Sequence, residues 1–343
     1  MKLKILLITA FLFASLLAGC SGGRSINVYN WGDYIDEEVL ALFEEETGIR
    51  VNYDTYASNE AMYTKLKSGG ASYDIAIPSD YMIEKMIREG MLEKIDWGNV
   101  PNAKNTHNRF RSLSYDPADE YSVPYMWGTL GILYNTALVD EPVESWNILW
   151  TPAYEDRIFM YNSQRDSLAV SLLRLGYSIN TQNIDELNAA VRELILQKPL
   201  VRAYAGDSIK DSMVGNEGAL AVVYSGDAMY AIEDNSDLDY IVPIEGSNVF
   251  YDAIVIPKGA KNKADAEKFI DFLCRPDIAA MNTEYIGYST TNEAALALID
   301  PEIAEDPIYW PDDEVFNRCE PFHDLGDFIK EYDRAWTEVL AGW

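Results

Sequence analysis

Histidine and cysteine are nearly absent. The 343 residues hold two histidines, His107 and His323, and three cysteines, Cys20, Cys274 and Cys319. Histidines so far apart, and cysteines without a C-x-x-C spacing, argue against a zinc centre and a disulfide framework. Positive charge is also scarce: Lys and Arg total 27 against 56 Asp and Glu, a net charge of -29. Such a surface repels phosphate backbones and anionic lipid head groups, so neither nucleic acid nor docking through a basic patch is expected. The single Gly-x-Ser-x-Gly match, residues 19–23, lies at the end of the apolar leader and not between a strand and a helix, so it is not the commonest hydrolase turn. What remains is an ordinary globular mix, 48% hydrophobic and 24% charged. Its length suits about two domains at roughly 100–200 residues each.

The chain opens with Lys2 and Lys4, then a largely apolar run over residues 5–17 that ends in Leu17-Ala18-Gly19-Cys20. The run is too short to span a bilayer and has the length of a signal-peptide core. The small residues before Cys20 look like a bacterial lipobox, with cleavage after residue 19 and a lipid on the Cys20 thiol. Removing residues 1–19 takes away Lys2 and Lys4 and no acid, which carries the net charge from -29 to -31. Residues 20–25 then form an anchor and tether. No other run is long enough to span, so the chain is expected outside the cytoplasmic membrane, on the cell surface or in the periplasm, held by lipid.

From residue 26 the pattern alternates. Strands are predicted over 26–31, 49–56 and 73–77, with helices from Asp36 to about Gly48, from Ser58 to Ser68 and over 79–89. A second set begins near Gly131, with strands over 157–161, 219–224 and 251–257 and helices over 166–175, 184–197 and 263–273. This order predicts an α/β protein with largely parallel sheets and ligands at the carboxyl ends of strands. Trp31-Gly32-Asp33-Tyr34 and Ser79-Asp80-Tyr81 lie at such ends. The spacing of Phe328, Tyr332, Trp336 and Leu340 predicts a final helix with that stripe in the core.

Several stretches carry a resemblance, in consistent order over about residues 26–300. They are Tyr29-Asn30-Trp31-Gly32-Asp33-Tyr34, Ser58-Asn59-Glu60-Ala61-Met62-Tyr63, Tyr73-Asp74-Ile75-Ala76-Ile77-Pro78-Ser79, Val123-Pro124-Tyr125-Met126-Trp127-Gly128 and Ile286-Gly287-Tyr288-Ser289-Thr290. The mature chain resembles the polyamine-binding family of extracytoplasmic receptors for ATP-driven importers. The resemblance implies a two-lobed, periplasmic-binding-protein-like fold with discontinuous lobes. Lobe 1 would be 26–129 plus 252–297 and lobe 2 130–251 plus 298–343, with hinge strands crossing near Gly128 and Tyr251. It implies a monomeric receptor that captures a polyamine such as spermidine or putrescine and hands it to a membrane permease, without cofactor, metal or catalysis. Receptors for another small cation or for ferric ion are the neighbouring reading, although no Tyr-Tyr pair is present; a lipid-anchored hydrolase is the more distant one.

A polyamine needs carboxylates in place of the water around its ammonium groups and apolar walls for its methylenes. Aromatic faces serve both. Carried over residue by residue, the resemblance puts Trp31, Tyr34 and Tyr81 in the first lobe's aromatic wall and Tyr224 and Phe250 in the second's. Asp252 would meet an amine in mid-cleft, with Asp33, Ser79 and Tyr288 as polar contacts. Asp166 would stand at the far end, where Ser163 replaces a second acid and weakens that anchor. Phe322 falls near a position that is a polar amide in the family, and Arg165 reads as a brace for an acid. Taken singly, Trp31, Tyr224 and Phe250 also read as packing residues, and Asp166 and Asp252 as caps. Cys274 reads as core, and Cys319 as the more exposed thiol.

Overall fold

A computed structural model describes residues 23–69 and 72–342. The signal peptide expected over 1–19 and the lipid attachment expected at Cys20 lie outside the described residues. The chain is already docked where the tether was expected to end: Arg24 pairs with Asp265, and its carbonyl accepts from the Arg50 amide at 2.9 Å.

Strand β1 (Ser25–Trp31) runs parallel to β2 (Arg50–Tyr56) and to β3 (Ile75–Ala76). Helix α1 (Glu37–Thr47) connects the first two. Asp36 caps it by accepting from the Glu38 amide, Glu37 and Glu38 complement its positive end, and Gly48 stops it at φ 67°. Helix α2 (Asn59–Lys67), capped by Ser58, leads to β3, and α3 (Asp80–Arg88) follows. The 14-residue β4 (Ser122–Asn135) then crosses the molecule. Beyond it come β5 (Ile158–Tyr161), α4 (Gln164–Arg174), α5 (Ile184–Gln197), β6 (Val201–Ala205), α6 (Ser208–Val214), β7 (Leu220–Tyr224), α7 (Ser225–Asp234) and β8 (Leu238–Ile241). Strand β9 (Val249–Val255) returns to the first half, where α8 (Lys263–Leu273), α9 (Pro276–Ile286) and β10 (Ser289–Thr290) follow.

The sheet order is β2-β1-β3-β9-β4-β7-β5-β6, with β8 and β10 both paired to β4. The expected largely parallel sheets are corrected to a mixed sheet. Strand β9 is antiparallel to β3 and to β4, and β4 is antiparallel to β7. The reason is the crossing itself: β4 carries the chain out of the first half and β9 carries it back, so side by side they must run in opposite directions. Residues Ser122–Thr129 of β4 pair with β9, whereas Leu130–Tyr134 pair with β7.

Each half has apolar cores on both faces, as alternation along buried strands demands. In the first half Val28 and Ile75 join Phe43, Phe269 and Ile270, while Tyr29 and Ala76 join Met82, Met86 and Tyr251. In the second, Leu220 and Val222 face Leu168, Leu172 and Leu187, while Ala221 and Val223 face Met213 and Ala231.

The segment after β10 divides between the halves. Trp310 packs on Trp127 at 5.4 Å in the first half, whereas Phe322, Leu325 and Tyr332 enter the second half's core. Between them, Glu320 exchanges backbone hydrogen bonds with Ser247 and Val249, beside β9. The last helix, α10 (Ile329–Ala341), buries Tyr332, Ala335 and Val339, while Leu340 is exposed. A strict four-residue spacing rotates by about 40° per step around a 3.6-residue helix, which carries Leu340 off the core face. Among the described residues no helix is long and apolar enough to cross a membrane, and no group of three or more His, Cys, Asp or Glu is arranged to hold a metal ion.

Candidate functional site

The ends of β1 and β3 meet the middle of β9. Ser79 ends the strand segment and stands at the N-cap of α3, yet its side chain makes no cap bond. Its hydroxyl instead donates to Asp252 Oδ1 at 2.6 Å. Tyr34, in the turn after β1, donates to Asp252 Oδ2 at 2.7 Å. Asp252 thus sits buried between two neutral hydroxyl donors, and burial pushes its carboxyl up to about 6. Asn59 donates to both Ser79 Oγ and Tyr81 Oη at 3.1 Å, and Tyr81 donates to Glu60 at 3.0 Å. Trp31 is half-buried, donates to the Ile77 carbonyl at 2.9 Å and leans on Tyr56 at 4.6 Å.

From Tyr34 a row of rings runs into the second half. Tyr34 meets Tyr288 edge-on at 5.7 Å, Tyr288 meets Phe250 at 5.7 Å, Phe250 meets Tyr224 at 5.2 Å, and Tyr224 meets Tyr161 at 5.1 Å. These are the preferred edge-to-face contacts of aromatic quadrupoles. Two glycines make room for the row. A Cβ at Gly226 would lie 2.6 Å from the Tyr288 ring, and one at Gly128 would lie 2.9 Å from Phe250.

The far end of the row meets Asp166. Ser163 caps α4, accepting from the Asp166 amide at 3.4 Å, so the cap is Ser163 and not Asp166. The Asp166 carboxyl is buried and raised by that burial, with hydroxyls of Ser163 and Tyr224 opposing the rise. Among the described residues its Oδ1 has no hydrogen-bond partner. A buried carboxylate oxygen left open is costly unless something comes to it.

Two acids in the same cluster went unassigned at the level of sequence. Asp227, in the first turn of α7, lies 3.4 Å from Lys210; burial pushes it up to about 6, with Lys210 and the Tyr288 hydroxyl opposing the rise. Asp80, in the first turn of α3, is buried, accepts from the Tyr81 amide at 2.7 Å and is raised well above the carboxylate range by burial. Each follows a buried strand, in Ser79-Asp80-Tyr81 and Ser225-Gly226-Asp227. An acid at that place ordinarily serves the helix dipole, so the signal was there but did not discriminate.

Of the expected residues, Tyr34, Ser79, Ser163, Asp166, Tyr224, Phe250, Asp252 and Tyr288 join this cluster directly. Tyr81 joins through Asn59, and Trp31 borders it through Tyr56. Asp33 is exposed at φ 49° in the turn and takes part in none of these hydrogen bonds. Arg165 bonds no acid. It donates to the His323 carbonyl and to Asn180 Oδ1 and lies 4.2 Å over Phe322. Cys274 is buried, Cys319 is half-buried, and both are free thiols. The arrangement supplies several buried carboxylates around a ring-lined row with few fixed cations, which suits a slender organic cation.

The model of the family described as bacterial extracellular solute-binding protein matches residues 38–310. The spermidine/putrescine-binding periplasmic protein of Escherichia coli is 37% identical over 327 residues, covering 95% of this chain and 94% of that one. The putrescine-binding periplasmic protein SpuD of Pseudomonas aeruginosa is 33% identical, covering 95% and 94%. Among solved structures, the spermidine/putrescine ABC transporter substrate-binding protein PotD of Streptococcus pneumoniae superposes with a TM-score of 0.84 at 42% identity, covering 92% of this chain and 98% of that one. The TpPotD lipoprotein of Treponema pallidum superposes with a TM-score of 0.84 at 29% identity, covering 92% and 99%.

Proposed function

The chain belongs to the bacterial extracellular solute-binding proteins, and on that premise we propose that it captures polyamines of the spermidine and putrescine type and delivers them to the permease of an ABC importer. One observation carries this reading: a continuous row of rings joins two buried carboxylates, Asp252 bonded by Tyr34 at one end and Asp166 beside Tyr224 at the other. Ammonium groups find carboxylates at the ends and at Asp227 along the row. The intervening methylenes lie against ring faces, each worth about 0.5–2 kcal/mol to a nearby cation. Micromolar capture requires about 8 kcal/mol net of the cost of ordering the chain, which several such contacts can supply.

The ligand would be held between lobe 1, 26–129 plus 252–297, and lobe 2, 130–251 plus 298–343, with β4 and β9 as the hinge strands. Part of the stretch 298–316 rests on the first lobe through Trp310. The permease would read the closed form. The protein acts as a binding monomer and not as a catalyst, at the outer face of the cytoplasmic membrane and anchored through Cys20. The Treponema relative being a lipoprotein supports that anchor. Ser163 in place of an acid leaves Asp166 as the far-end anchor and favours a shorter amine.

Calorimetry with putrescine, spermidine and spermine tests the reading. Saturable binding of at least one of them, lost or strongly weakened in Asp252→Asn, is the expected result. No heat and no change in melting temperature with any of the three would overturn it.

A further inference from the structure

One cluster of charged groups outside the ring-lined row joins the two halves. Glu84 and Arg88 lie on α3, whose Met82, Ile83 and Met86 belong to the first half's core. His323 and Asp324 lie in segment 321–325, whose Phe322 and Leu325 belong to the second half's core. Glu84 Oε2 accepts from the Asp324 amide at 2.8 Å and stands 3.6 Å from His323 Nδ1. Arg88 pairs with the Asp324 carboxylate, which is 7% exposed. The segment is tied to its own side by Asn180, which donates to the Pro321 carbonyl at 2.8 Å and accepts from the His323 amide at 2.8 Å. Arg165 adds a bond to the His323 carbonyl at 3.2 Å. The segment is therefore a strap bound firmly to the second half, with its free edge clasped by α3.

We propose that these pairs, Glu84 with His323 and Arg88 with Asp324, form a latch that holds the closed arrangement and sets how long a captured amine is retained. The inference rests on the polyamine reading only for its ligand; the latch itself is a property of the two halves. None of the four residues belongs to the row of rings and acids, so they act as positioning residues. Opening the cleft breaks both pairs and returns Asp324 to water, while the bonds to Asn180 and Arg165 persist. Closure is thus favoured by interactions that the ligand does not make.

The latch also senses pH. Glu84 holds the His323 imidazole above its ordinary value, chiefly through their hydrogen bond. The groups facing His323 are Glu84 from α3, Arg165 from α4, and Glu320 just before its own segment, with the Arg88–Asp324 pair adjoining through Glu84; Glu84 and Glu320 favour the proton and Arg165 opposes it. A pair strengthened by protonation is complete below the free imidazole's value and fades as pH rises through the raised one.

Stopped-flow release of putrescine from the full chain tests the latch, together with small-angle scattering of the ligand-free protein. Glu84→Gln and Arg88→Gln should each speed release roughly 2- to 5-fold, the effect of a partly exposed pair, and should enlarge the ligand-free particle. The exchange of Arg88→Asp with Asp324→Arg should recover slow release. Measured against His323→Gln, which keeps only the response of the buried acids, release from the parent should quicken between about pH 6 and pH 8. Unchanged release and scattering in both single variants, or no recovery in the exchange, would overturn the latch. If the parent binds none of the three amines, the polyamine reading fails, while the scattering comparison still decides the latch.

Discussion

The Tyr34 hydroxyl stands 2.7 Å from Asp252 Oδ2, although 218 positions separate the two residues. Tyr34 is placed by the end of β1 and Asp252 by the returning strand β9. Their meeting builds one end of the ring row, and the charge state of Asp252 governs what that end can hold.

Asp252→Asn removes the charge and keeps the shape. Putrescine and spermidine should bind more weakly by roughly 1.5–3 kcal/mol, about 10- to 150-fold in Kd. The ligand-free melting temperature should hold or rise, because a buried charge is gone. Calorimetry and a thermal melt on the same sample check both halves.

The pH response has two parts. Asp252 and Asp227 titrate at about 6 in the folded protein, above the ordinary 3.8. A carboxyl raised by folding stabilises the fold most when protonated, so its contribution is complete below about 4 and is lost as pH rises through 6. Ligand-free melting temperature should gain from these two groups as pH falls from 7 to 4. Amine affinity should fall over the same interval, since protonated acids do not neutralise ammonium. Binding measured at pH 6 in buffers of different ionisation enthalpy should show proton release, and at pH 8 none from these groups.

Asp166 is the test of the far end. Asp166→Asn should lower the ratio of spermidine to putrescine affinity roughly five- to tenfold, the size of one charge-assisted contact. Equal losses for the two amines would place Asp166 outside the length-sensing end.

Gly226→Ala tests the row itself. The added methyl would lie 2.6 Å from the Tyr288 ring. Overpacking of that kind costs about 1–3 kcal/mol, so both the melting temperature and amine affinity should drop. Ala228→Gly, two residues further along α7 and buried in the core, should lower the melting temperature while leaving affinity nearly unchanged.

Local features were legible in the sequence where local chemistry decides them. Asp36 and Ser58 cap their helices, Gly48 ends the first one, and residues 184–197 and 263–273 form helices with the predicted bounds. Strands β6 and β8 escaped notice. Each is short and half-buried, with Arg202 and Asp239 interrupting the apolar pattern. The cleft was legible mainly as a family pattern. That pattern named Tyr34, Ser79, Asp252 and Tyr288, but passed over Asp80 and Asp227, whose helix-start positions have a commoner explanation.

What the amino-acid order determined by itself was a set of strands and helices with marked ends and a strongly acidic composition, because each depends on the residues themselves and on neighbours a few positions apart. What the tertiary structure alone decided was which ends meet. The opposite directions of β4 and β9 across the molecule make the sheet mixed and carry Phe250 and Asp252 between the halves. An acid at a helix start becomes a buried carboxylate with a raised titration only when packing removes its water, and that burial is a property of the assembled halves.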